Sequence, residues 1–197
     1  MQKHNLNESY FPVKEIPIFK DVVTTNLGTH DKNGRSGYKF IVREDNGQII
    51  SCMTDNYKLV TNKDIMEKAE PVLKEQGAIL SDVHMFGNGA RVRYKYRFPD
   101  TKVEVEKNDF VNPEIIINNS YDGTSEVSAM GGAFRLVCSN GLVIGYSIGK
   151  EGSRHTVWNK KEEIEAIVKS VINKTTTVFK SDFPKMIEKA VKKKDSQ

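Results

Sequence analysis

Apolar and polar residues alternate most strictly in the stretch ARVRYKYRF, Ala90–Phe98, where Arg91, Arg93, Lys95 and Arg97 interleave with Val92, Tyr94, Tyr96 and Phe98. A period of two predicts a strand with its cations on one face and its apolar residues on the other. Similar strand patterns precede and follow it. YKFIVRE and QIISCMT flank DNG, and AILSDVHMF and ARVRYKYRF flank GNG; both are hairpin signals, because Asn and Gly accept positive φ. TKVEVEK alternates strictly, PEIIINNS reads as a buried strand, and GGAFRLVCSNGLVIGYSI reads as two apolar runs joined at SNG.

Elsewhere the period changes. Ile65, Met66, Ala69, Val72 and Leu73 recur at helical spacing, with Asn62 as the expected cap, a kink or break near Pro71, and an end at Gln76-Gly77. Ile164, Ile167, Val168, Val171 and Ile172 share one face of a later helix, which needs the β core or another subunit as its partner. DFPKMIEKAVKKK reads as a second short helix, with Asp182 as its cap and Pro184 in its first turn. The expected fold class is α+β, with an antiparallel, hairpin-rich sheet, one inserted helix and C-terminal helices. Residues 1–36, with Pro12 and Pro17, read as an extended arm, 37–158 as the core domain, and 159–197 as a helical segment with a basic tail. Crossover helices between strands are lacking, which disfavours a doubly wound parallel sheet.

Composition narrows the class. The 197 residues suffice for a hydrophobic core without staples. There is no apolar run of about eighteen residues and no signal-like N-terminus, so no membrane partner and a cytoplasmic location in a bacterial host are expected. Cys52 and Cys138 stand apart and read as buried thiols. His4, His30, His84 and His155 show no metal-ligand spacing, so neither a metal nor a cofactor is expected. The net charge of +4 permits a polyanionic partner without demanding one.

The basic strand carries the most pointed question. Its four cations would span roughly 20 Å and could track phosphates. Tyr94 and Tyr96 face the other way, toward the core, and so cannot stack on bases there. If FPDT turns with Phe98 opposite Thr101, Lys95 faces Glu104 and Arg93 faces Glu106, as ordinary cross-strand ion pairs. A three-residue loop shifts the register and leaves the ladder bare; both parities are open in the sequence.

Three other clusters stand out. NNSYDGTS places Asn119 and Asp122 in a polar loop, read either as turn chemistry or as a pocket floor. Arg135, within an apolar run, calls for a carboxylate such as Asp122 or Glu126, or for an anionic ligand. Arg154 and His155 follow a glycine-rich turn, where His155 could contact an anion, or act as a base in a dyad with Cys138.

The motifs DNYKLVTN, FGNGARV, INNSYDGTS, FRLVCSNGL and SRHT, in that order, resemble the bacterial phage/plasmid-like proteins of domain of unknown function 932 over about Tyr38–Thr156. The lysine-rich end lies outside the matching motifs. The resemblance implies a protein of a mobile element, transfers no catalytic residue, and singles out Asn119, Asp122, Arg135, Cys138, Asn140, Arg154 and His155. The reading preferred here is a non-enzymatic nucleic-acid-binding accessory protein, concretely one that binds single-stranded DNA in replication or recombination. Arg91, Arg93, Lys95 and Arg97 would lie on phosphates, Arg135, Arg154 and His155 on an adjoining anionic site, and Asn119, Asp122 and Asn140 in a polar pocket. A module that binds a host protein and inhibits a host defence complex is the second reading, and a hydrolase using Cys138 or His155 the third. Exposed sheet edges and the apolar helix face make a homo-oligomer compatible with any of them.

Overall fold

The computed structural model describes residues 4–19, 34–106, 109–136, 143–155, 162–182 and 184–185. The fold is α+β, and every strand pairing is antiparallel. Strands β1 (Val13–Phe19), β2 (Arg35–Arg43) and β3 (Ile49–Thr54) form a small sheet in sequence order. Helix α1 (Asn62–Glu75) follows, then β4 (Ile79–Phe86), β5 (Arg91–Arg97), a short pair β6 (Val103–Glu106) and β7 (Asp109–Val111), β8 (Pro113–Ser120), β9 (Val127–Leu136), β10 (Val143–Ser153) and helix α2 (Glu162–Ser181). The five long strands form one sheet in the order β10-β9-β8-β5-β4.

The pleat divides that sheet into two surfaces. Val83, Val92, Tyr94, Tyr96, Ile115, Ile117, Val127 and Ala129 are buried and meet the apolar faces of α1 and α2. The partner that the face of α2 requires is therefore this sheet together with α1. Gly131 on β9 permits the close approach, since a Cβ there would lie 1.7 Å from Thr175 Oγ1. The opposite surface carries Arg91, Arg93, Lys95 and Arg97, as the alternation requires.

Three expectations are corrected. The basic strand does not pair with TKVEVEK: β5 lies between β4 and β8, and β6 pairs with β7 instead. Residues 99–112 leave the sheet as a separate hairpin. Asn112 Nδ2 closes its base by donating to the carbonyls of Phe98, Pro99 and Thr101, while Phe98 N donates to Pro113 O and keeps β5 on β8. Glu104 and Glu106 are thus not the cross-strand neighbours of Lys95 and Arg93. Second, α1 runs unbroken through Pro71, whose missing N–H and ring one turn from the helix end disturb few bonds. Third, the cap is Thr61, not Asn62. Thr61 is extended, accepts from Asp64 N, and completes a capping box with the Asp64 carboxylate. The joint at SNG and most of the second short helix lie outside the described residues.

Asn62 has a different task. Buried, it donates to Ser9 O at 2.9 Å and accepts from Asn119 Nδ2 at 2.8 Å, while its backbone N–H donates to the Tyr121 hydroxyl at 2.7 Å. Tyr94 donates to Ser9 Oγ at 2.8 Å. These bonds tie the N-terminal turn, the start of α1 and the end of β8 together inside the core. Thr61→Ala is expected to lower the unfolding free energy by about 1 kcal/mol, the usual worth of an N-cap. Asn62→Ala should lower it more, by about 1–3 kcal/mol, because buried partners lose their bonds. Urea unfolding of both variants measures the order.

Candidate nucleic-acid interface

The cations of β5 meet β8, and β8 treats them unequally. Glu114, 1% exposed, accepts at Oε1 from Arg97 Nε and an Arg97 terminal nitrogen at 3.1 Å each, and its Oε2 forms an ion pair with Lys95 Nζ at 2.8 Å. One buried carboxylate therefore engages two cations, and both retain access to water. Arg93 Nε donates to Asn118 Oδ1 at 3.1 Å, a neutral partner. Arg91, half exposed, has only a 3.7 Å approach to Asp122. The ladder is thus half neutralised, and its available end is the Arg91–Arg93 end.

That end opens into a groove. A cavity of about 580 Å³ is lined by Phe86, Arg91, Arg93, Asn118, Asn119 and Lys150, among others. A second, of about 700 Å³, is lined by Tyr38, Cys52, Met53, Tyr57, Arg154 and His155, among others. Thr124, Ser125 and Lys150 line both, so the two adjoin, one on each side of that wall, along one groove. Around the groove Arg91, Arg93, Lys150 and Arg154 face Asp122 and Glu126, with Glu126 3.0 Å from Lys150. The balance is positive.

The loop between the cavities is held by its own side chains. Asp122 Oδ1 accepts from Thr124 N at 3.0 Å and from the Thr124 hydroxyl at 2.5 Å. Ser120 Oγ accepts from Ser125 N and donates to Ser125 O. Gly123 turns at φ +71°, with Met53 where a side chain would go. The polar loop is therefore both turn chemistry and a pocket wall.

His155 is 5% exposed and clasped to Lys58: Lys58 N donates to His155 O, and the His155 ring bonds Lys58 O through Nδ1, each at 3.0 Å. A carbonyl only accepts, so Nδ1 carries the proton and Nε2 is left as a lone-pair acceptor. Nε2 has no partner among the described residues. Tyr57 stacks on the ring at 4.7 Å and donates through its hydroxyl to Ser120 O. Burial lowers the His155 pKa below its ordinary 6.5, with the Lys58 carbonyl offsetting part of the shift. His155 is therefore a neutral ring rather than a cation for phosphate.

Of the residues singled out in the sequence, Arg91, Arg93, Asn119, Asp122, Arg154 and His155 gather at this groove. Lys95 and Arg97 belong to the Glu114 cluster beside it. Arg135 pairs with Ile144 eight positions along β9 from Val127, roughly 26 Å from the groove end of that strand. Its two suggested carboxylates meet other cations, Asp122 meeting Arg91 and Glu126 meeting Lys150. Asn140 and Cys138 lie outside the described residues, and Cys52, expected buried, is exposed.

Sequence reasoning missed the aromatic residues of this surface. Phe86 pairs directly with Arg91, which places it on the cationic face; the Arg91 and Arg93 guanidinium carbons lie 5.9 and 5.8 Å from its ring centroid. Tyr38, 51% exposed, stands at the other cavity. The signal for Phe86 was present, because the hairpin through Gly87-Asn88-Gly89 sets its parity with Arg91.

A sequence model of the family described as "Domain of unknown function (DUF932)" matches residues 49–197. The match runs through the lysine-rich end, beyond the motifs quoted above. Two curated proteins of Escherichia coli K12, "UPF0380 protein YfjQ" and "UPF0380 protein YafZ", are each 58% identical to the chain over 38 residues, 19% of its length. The aligned segment covers 14% of each of those proteins. No solved structure matches.

The neutral, buried imidazole has a measurable consequence. Its folded-state pKa lies below that of the unfolded chain, so the unfolded chain binds the proton more readily as pH falls below 6.5, and stability drops with pH until the folded pKa is passed. Unfolding temperatures recorded at about pH 7.5 and 5.5 should fall less for His155→Gln than for the wild type. Equal falls would assign the acid sensitivity to other groups.

Proposed function

The chain belongs to the DUF932 family, whose description assigns no activity, and we propose that its groove binds single-stranded nucleic acid without enzymatic chemistry. The observation that carries this reading is that cations share one groove with the exposed ring of Tyr38 and the half-buried ring of Phe86. Arg91, Arg93, Lys150 and Arg154 supply contacts for phosphates, and Phe86 and Tyr38 supply stacking faces at its two ends. Strands of a duplex keep their bases stacked inward, whereas a single strand offers base faces to such rings. The resemblance to phage/plasmid-like proteins makes single-stranded DNA in replication or recombination of a mobile element the concrete ligand.

A second reading, a module that docks on a host protein, draws on a different observation. Ile16, Phe19 and Ile49 are exposed apolar residues on the small sheet, whose edges β1 and β3 are free of strand partners among the described residues.

Titration of a labelled oligonucleotide at several salt concentrations tests the first reading. Binding should weaken linearly in log salt, and Arg91→Ala with Arg93→Ala should reduce the slope by about 1.4, two phosphates at about 0.7 each. Glu114→Gln removes the charge that holds Lys95 and Arg97, and is expected to tighten binding and steepen the slope by up to about the same amount. No binding at about 50 mM salt would overturn the proposal.

A further inference from the structure

The larger cavity carries an observation that phosphate binding does not use. His155 Nε2 is a buried acceptor with no partner among the described residues, on a ring whose proton is committed to the Lys58 carbonyl. A phosphate oxygen has nothing to gain from a lone pair. The missing partner must be a donor.

The walls narrow the class of donor. Met53 packed on Gly123 gives an apolar surface, and Tyr38 stands half exposed at the same cavity. Thr124 and Ser125 add short polar groups, and Lys150 and Arg154 add positive charge. About 700 Å³ lies within the roughly 300–1,000 Å³ that small ligands occupy. A flat heterocycle with an N–H edge, flanked by phosphates, answers each of these features.

Resting on the reading that the groove binds a single strand, we propose that this cavity takes one unstacked base, whose N–H edge donates to His155 Nε2 while its flanking phosphates lie on Lys150 and Arg154. The rigid imidazole then reads the hydrogen-bonding edge of a base, as pockets for extruded bases do. Its orientation is set in advance: Tyr57 covers one face of the ring, and the Lys58 carbonyl fixes the tautomer. The ring itself need not turn on binding, although the wall over the buried Nε2 must give to admit a donor, and leaving that acceptor unmatched is unfavourable.

The test changes the ligand and leaves the protein intact. Two oligothymidylates of about 12 nucleotides are titrated, one ordinary and one with every thymine methylated at N3. Phosphates and sugars are the same in both; at N3 a methyl group takes the place of the ring donor, so the His155 variant separates the lost bond from the added bulk. The ordinary strand is expected to bind about tenfold tighter, the loss of one hydrogen bond to a buried acceptor. In His155→Phe, which keeps a ring against Tyr57, the difference should vanish. If that variant fails to fold, His155→Leu, which also lacks the acceptor, takes its place in the comparison. Equal affinities for the two strands in the wild type would overturn the base pocket and leave the groove proposal standing. Failure of both strands to bind at about 50 mM salt would instead overturn the groove proposal, and the base pocket with it.

Discussion

The pleat of β5 is the constraint on which the rest depends. The strand lies between β4 and β8, and its odd and even residues have opposite fates. Tyr94 and Tyr96 are fully buried against the helices. A slip of one residue would exchange them for an arginine and a lysine, placing charge in the core and tyrosine on the surface. The outward direction of the cations is therefore enforced by the tyrosines behind them. The network around Ser9 and Asn62 adds to this, because the Tyr94 hydroxyl is one of its donors.

Electrostatics then grade the surface that the pleat creates. At one end, Glu114 concentrates a carboxylate beneath Lys95 and Arg97. At the other, Arg93 meets an amide and Arg91 a distant carboxylate. The loop 121–126 brings Asp122 to Arg91 and Glu126 to Lys150 of β10. Those pieces are locked before any ligand arrives. Tyr57 bonds Ser120 and stacks on His155, Lys58 clasps His155, and Tyr121 is fixed by Ser51 below its carbonyl and by Ala90 at its amide. Three distant parts of the chain thus share one rigid wall, which suits a site that selects by shape and edge.

What could be read from the sequence, and what could not, follows from the range of each interaction. The faces of β5, the two glycine hairpins and the apolar stripe of α2 rest on local period and turn chemistry, and they are as expected. The neighbour of β5 is not local. Sequential strands usually pair, and TKVEVEK follows at once, but both edges of β5 were already taken. Glu114 was hidden in the apolar run PEIIINNS, where a single carboxylate reads as an end residue. Thr61 and Asn62 are both good caps by type, and only the burial of Asn62 decides between them. His155 stands out in the sequence for its charge, yet in the fold burial keeps the ring neutral and its tautomer is set by the carbonyl of Lys58, 97 positions away in the chain and 3.0 Å away in space.

The hairpin of β6 and β7 has a consequence of its own. Its two ends are already brought together by one amide, Asn112, and by the continuing ladder between Phe98 and Pro113. Loop length beyond such a closure adds only slowly to the entropy of folding. The hairpin of β6 and β7 is therefore a side branch of the sheet that is still fastened to it, since Val103 and Val111 pack with Ala133 of β9 and Phe179 of α2, so its loss would strip one corner of the core while the register of the main sheet is set elsewhere.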